Sequence, residues 1–119
     1  MKKLLLGALL LLSMTTIAQV NTKDLIGYWT PDQESTQLFF WKDVTGKLQV
    51  QEISGTSGEP LDNITFRVDK NSVYLKTIFT PNSWVTENVF TFVDKNTLKC
   101  VITGENLEGE TIITYKKVK

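Results

Sequence analysis

Histidine is absent from the 119 residues, cysteine occurs once and proline three times. Without imidazole there can be no Ser-His-Asp or Cys-His machinery and no His-based metal site. Cys100 has no thiol partner for an internal disulfide, so it is expected to behave as a small buried hydrophobe, inert as a nucleophile. Neither sign of charge is in excess, with 13 Lys and Arg against 13 Asp and Glu. That balance supplies no electrostatic footprint for nucleic acid or an anionic membrane surface. Nothing in the composition implies a cofactor.

What is present begins with "MKKLLLGALLLLSMTTIAQV". Lys2 and Lys3 precede an apolar run from Leu4 to Leu12, and Thr16 and Ala18 supply the small residues before a cleavage site. This is the pattern of a secretory signal peptide, with cleavage expected between Ala18 and Gln19. The apolar run is well short of the ~20 residues of a spanning helix, and no cysteine follows it to carry a lipid. Residues 1–18 are therefore expected to be removed and 19–119 to form one secreted or periplasmic domain without a membrane span. Losing Lys2 and Lys3 leaves 11 basic residues against 13 acidic, a net charge of −2.

Beyond the leader, apolar residues recur at period two and turn signals interrupt at short intervals. The spacing predicts eight strands: Leu25 to Thr30, Thr36 to Lys42, Lys47 to Ser54, Asn63 to Asp69, Ser72 to Thr80, Val85 to Val93, Thr97 to Thr103 and Glu110 to Lys117. The connections are too short for crossover helices, so neighbours must run antiparallel. With no helix to cover an edge, an all-β, eight-stranded antiparallel up-and-down β-barrel is expected, since closure removes exposed edges. "NTKDL", Asn21 to Leu25, can form one helical turn before the first strand. Alternation assigns Leu48, Val50, Ile64, Phe66, Val68, Val73, Leu75, Phe79, Phe90, Phe92, Leu98, Cys100 and Ile102 to the inner face.

Gly27-Tyr28-Trp29 at the start of such a meander resembles the Gly-x-Trp signature of lipocalins and the wider calycin group, barrels that bind small molecules. The resemblance implies that Trp29 closes one end of the barrel and that a cation on the last strand packs across its ring. Lys117 is expected in that place, with Lys116 as the alternate. The chain is shorter than a typical lipocalin and lacks the disulfides and C-terminal helix common there, so it is most similar to short, secreted, lipocalin-like bacterial domains. Avidins also begin with Gly-x-Trp-Thr, but their polar biotin ligands and later tryptophans have no counterpart here.

The aromatics carry the functional expectation. Phe40, Phe66, Phe90 and Phe92 point into the lumen, which eight strands make just large enough to be filled by side chains or to hold one small ligand; a filled interior is expected ahead of an open one. Trp84 and the "SGTSGEP" loop are the natural elements of a mouth. Phe39 and Trp41 face outward, where two bulky rings point to a partner, a covering segment or a homo-oligomer. The expected role is non-catalytic binding of a small apolar or amphipathic molecule, the alternative being a protein-interaction module, an inhibitor or accessory subunit, acting through the outer aromatics. The carboxylate pairs Asp32 with Glu34 and Glu105 with Glu108 fall in or beside turns, where acids are ordinarily solvated. Asn63-Ile64-Thr65 fits the N-glycosylation pattern but is expected to be only the alternation of a strand, and Asp94-Lys95-Asn96 lacks the ligand spacing of a calcium loop.

Overall fold

The computed structural model describes residues 19–33, 35–105 and 107–118; residues 1–18, where the signal peptide is expected, and Glu34 lie outside them. One helical turn, α1 (Thr22–Leu25), precedes eight strands: β1 (Gly27–Pro31), β2 (Gln37–Lys42), β3 (Leu48–Ile53), β4 (Asp62–Val68), β5 (Val73–Phe79), β6 (Trp84–Asp94), β7 (Thr97–Gly104) and β8 (Thr111–Lys117). Asn21 caps α1, its side-chain oxygen accepting from the Lys23 amide at 3.1 Å. All the strand pairs are antiparallel, and β1 also pairs with β8, giving the order β3-β2-β1-β8-β7-β6-β5-β4.

That order leaves β3 and β4 as the two edges, so the barrel is nearly closed rather than laddered all the way round. Backbone pairing across this seam is confined to its upper part, where the Ile53 and Pro60 bridge forms and the Leu61 amide donates to the Glu52 backbone carbonyl at 2.9 Å. Side chains continue the closure. Gln51 Nε2 donates to the Leu61 carbonyl at 2.7 Å and Asn63 Nδ2 to the Val50 carbonyl at 2.8 Å. These amides satisfy edge carbonyls that a ladder would otherwise have used. Asn63 is thus a seam residue.

The seam corrects part of the face assignment. A register shift between Asn63 and Thr65 marks a bulge, which takes Ile64 out of the alternation; it is 50% exposed. Val68, opposite Val73 at the open edge, is also exposed, and only Phe66 of this strand packs against the core. Elsewhere the alternation holds, with Leu38, Phe40, Val50, Val73, Leu75, Phe90, Phe92, Leu98, Cys100 and Ile102 buried. Phe79 is half-buried because it stands at the rim.

The strands carry their connections to two distinct ends. At one end lie α1 and the turns β2–β3, β4–β5 and β6–β7; at the other lie the connections β1–β2, β3–β4, β5–β6 and β7–β8. The first end is packed shut. Phe40 meets Phe90 edge-on with centroids 6.4 Å apart, Phe90 meets Tyr115 at 5.9 Å, and Trp29 meets Phe92 at 6.3 Å. Val20 packs against this core, its amide donating to the Lys70 carbonyl at 2.8 Å.

Trp29 is fully buried and its indole N–H donates to the Leu25 carbonyl at 2.8 Å, tying α1 to the barrel floor. Lys117, directly opposite Trp29 in the β1–β8 register, places Nζ 5.7 Å from the indole centroid and donates to the Asp24 carbonyl at 2.9 Å. Lys116 turns away to Thr97 Oγ1 at 3.0 Å. Gly27 has φ of 133°, a left-handed conformation that L side chains rarely adopt, so the chain can enter β1 directly from α1.

Candidate functional site

The second end is open. A cavity of about 480 Å³ occupies the upper lumen, within the ~300–1,000 Å³ range of small-molecule pockets. Each of the four connections at this end contributes to its wall: Ser35 from β1–β2, Ser54 and Leu61 at the ends of β3–β4, Asn82 from β5–β6 and Leu107 from β7–β8. Phe79, Ile102 and Ile113 supply much of the apolar surface. Trp84 stands at the rim, 52% exposed. Its position follows from the β5–β6 turn, where Ser83 adopts φ of 59° and donates its amide to the Phe79 carbonyl at 2.8 Å, while Asn82 Oδ1 accepts from the Trp84 amide at 2.9 Å.

Two connections meet closely at the rim. A Cβ placed on Gly55 would lie 2.2 Å from the Ser35 carbonyl oxygen, nearer than any side chain tolerates, so only glycine lets the β3–β4 loop pass here.

The floor of the cavity is polar. Glu52 is 2% exposed and lies on the same face of β3 as Val50. Its Oε1 accepts from Thr77 Oγ1 at 2.7 Å and, at the limit of hydrogen-bond distance, from Asn88 Nδ2 at 3.5 Å. Its Oε2 accepts from Thr36 Oγ1 at 2.8 Å, and Thr36 Oγ1 is 3.2 Å from Tyr115 Oη. Asn88 is held by the Leu75 carbonyl at 3.1 Å and receives the Cys100 thiol at 3.8 Å. No buried side-chain nitrogen or oxygen among the described residues is left without a partner. The floor is therefore a hydrogen-bonded layer lying on the aromatic one.

Burial raises the Glu52 carboxyl above its ordinary value, with the Thr77 and Thr36 hydroxyls opposing the shift. Burial likewise pushes the Cys100 thiol and the Tyr115 phenol far up, so both are neutral at physiological pH. The cavity wall contains no Lys or Arg, and Glu52 is its single ionisable residue among the described ones. Among the described residues no group of three His, Cys, Asp or Glu side chains gathers in metal-ligand fashion.

Of the residues singled out in the sequence for a mouth, Trp84 lines this cavity and so do Ser54 and Thr56 of the SGTSGEP loop, joined by the inward-assigned Phe79 and Ile102. Phe40, Phe90 and Phe92 are buried below it and Phe66 packs against the same core, so the four rings fill the lower lumen. The interior is thus filled in one half and open in the other. Gly27, Trp29 and Lys117 gather at the closed end, away from the cavity. Phe39 and Trp41 face outward as expected and stack on one another at 5.1 Å, with Tyr28 on the far side of Phe39 at 4.3 Å. Glu52, Thr77 and Asn88 were not singled out. Period two does place Glu52 on the face of Leu48 and Val50, and that alternation was the available signal.

Compared with protein-family models, with curated proteins and with solved structures, the chain finds no match in any of the three.

Proposed function

We propose that the chain is a secreted or periplasmic, lipocalin-like barrel that binds one small apolar or amphipathic molecule without transforming it. The observation that carries this reading is the 480 Å³ cavity at the open end, where Leu61, Phe79, Trp84, Ile102, Leu107 and Ile113 set apolar surface among polar side chains and to which all four connections of that end contribute. Loops mounted on a rigid barrel are where binding residues concentrate. The lipocalin-like assignment is supported by the Gly27, Trp29 and Lys117 arrangement at the closed end. A binding rather than catalytic role is favoured by the cavity's chemistry: among the described residues one carboxyl stands there without the second acid that a two-carboxylate mechanism requires.

The outer aromatic surface favours a second reading, a protein-interaction module, less well. Tyr28, Phe39 and Trp41 cover one another in a stack, which removes part of the apolar area a partner would otherwise bury.

The test is a fluorescence titration of residues 19–119 with the neutral apolar probe N-phenyl-1-naphthylamine. Saturable binding at one site is expected, abolished by Thr111→Trp, which puts an indole into the cavity from the start of β8. Signal that never saturates, or that survives Thr111→Trp unchanged, would remove the cavity as the binding site.

A further inference from the structure

The feature that the apolar-binding reading does not use is the lone acid of the cavity floor. An apolar ligand would be served as well by a floor of Thr and Asn side chains. Instead Glu52 sits at the bottom of the lumen with donors on both oxygens and no cation. A carboxylate has about four acceptor positions. Two short bonds and one long one leave it incompletely solvated, and burial without a counter-charge is costly unless the group is neutralised or paired. Taking the carboxyl out of water is a cost already present in the empty protein. A ligand that brings a cation to it recovers that cost and supplies the N–H donors for the remaining lone pairs.

We propose that the cavity selects an amphiphilic amine, whose ammonium group seats on Glu52 at the floor while its apolar body lies against Phe79, Leu61, Ile102 and Ile113. The proposal rests on the small-molecule-binding reading and names the ligand class for the same site. The polarity of the cavity sets the orientation, with the polar group inward and the hydrocarbon toward Trp84. Carboxylate-bearing amphiphiles are rejected, because a second anion would meet Glu52 with no Lys or Arg among the described residues of the wall to offset it.

Acid should weaken this binding. The titratable groups facing Glu52 from the packed strands are Tyr115 on β8 and Cys100 on β7, both held neutral by burial; Thr36, Thr77 and Asn88 supply the other contacts. Glu52 is then the group whose ionisation the ammonium requires. Between pH 5 and pH 8, where an alkylamine stays protonated, amine affinity rises as Glu52 ionises, while the affinity of an alcohol of the same length does not follow that curve.

The experiment uses residues 19–119 and three probes of equal chain length, n-octylamine, 1-octanol and octanoate, titrated calorimetrically at pH 5 and pH 8. At pH 8 octylamine is expected to bind at least tenfold more tightly than octanol, with octanoate weakest. Glu52→Gln should remove the preference, bringing octylamine affinity to within about twofold of the same variant's octanol affinity. Octylamine binding no more tightly than octanol in the wild-type chain overturns the amine assignment and leaves apolar binding standing; this arm needs no variant to fold. Retained amine preference in Glu52→Gln also overturns it. Should none of the three probes nor N-phenyl-1-naphthylamine bind, both the amine assignment and the binding reading fall together.

Discussion

The two ends of the barrel are built from the same strands and differ in what those strands carry inward. The closed end stacks Trp29, Phe40, Phe90, Phe92 and Tyr115 into an apolar layer capped by α1 and Val20. The open end carries Glu52, Thr77 and Asn88 on the next inward positions and leaves 480 Å³ above them. The register makes the change abrupt: Phe40 pairs with Val50, and one inward step on, Leu38 pairs with Glu52; Val73 pairs with Phe90, and Leu75 with Asn88. Apolar packing is concentrated in one half and buried polar side chains in the other. A barrel can accept a buried, unpaired acid at one end because the other end supplies the packing.

The sharpest way to break this division is to attack the closed end. Trp29→Ala and Phe40→Ala should each cost about 3–5 kcal/mol, measured by chemical denaturation. Truncating Trp84, which lies at the rim, should leave stability within about 0.5 kcal/mol. Equal losses at the two ends would mean that packing is shared and that the floor of the cavity bears load as well.

The next effect has the opposite sign. Burial lifts the Glu52 carboxyl above its ordinary value of 4.5, so the folded chain holds that proton more tightly than the unfolded chain. Stability contributed by this group is full below 4.5, declines as pH rises through the folded value and is level above it. Glu52→Gln should therefore raise the melting temperature at pH 8 and flatten the alkaline decline. The amide can face Thr36, which passes its own proton to Tyr115 across a bond that either oxygen can donate. A variant less stable than wild type at pH 8 would show that the carboxylate is a structural anchor instead.

The closed end has the mirror-image dependence. The Asp43 carboxyl, holding the Thr45 hydroxyl, the Gln49 amide and the Lys47 amide in the β2–β3 turn, lies well below the usual carboxylate range. Asp94, accepting from the Asn96 amide in the β6–β7 turn, is lowered too. These groups stabilise above their ordinary 3.8 and the contribution is lost as pH falls through their folded values. Asp43→Asn should flatten the acid limb of a stability profile and leave the alkaline limb to Glu52; both limbs changing together would sink the separation of the two ends.

Smaller effects sharpen the picture at single contacts. Lys117→Ala should cost about 1 kcal/mol through the indole contact, and a double-mutant cycle with Trp29→Ala should show coupling. Ser83→Gly relieves a left-handed serine and should stabilise by a few tenths of a kcal/mol, up to about 1, without altering probe affinity.

Much of this was legible from residues alone. Period-two alternation places Leu38 and Phe40 on one face and Phe39 and Trp41 on the other, because a strand offers only two faces and the turn residues between strands fix where each begins. Lys117 across the ring of Trp29 was expected from the resemblance of Gly27-Tyr28-Trp29 to the lipocalin signature. The same rule failed at Ile64, where one inserted residue at a bulge undoes the count, and bulges leave no period of their own.

What the sequence by itself determined is the set of strands, their antiparallel order and the aromatic filling of the lumen, all of which follow from local periodicity and short connections. Only the tertiary structure decided where that filling stops. Phe40 and Glu52 obey the same inward alternation, and their heights along the barrel depend on the stagger between strands, which no single segment encodes. That stagger sets Glu52, Thr36, Thr77 and Asn88, distant in sequence, into one layer, and it leaves β3 and β4 as the two edges of the sheet, so that the side-chain amides of Gln51 and Asn63 reach across the seam between them.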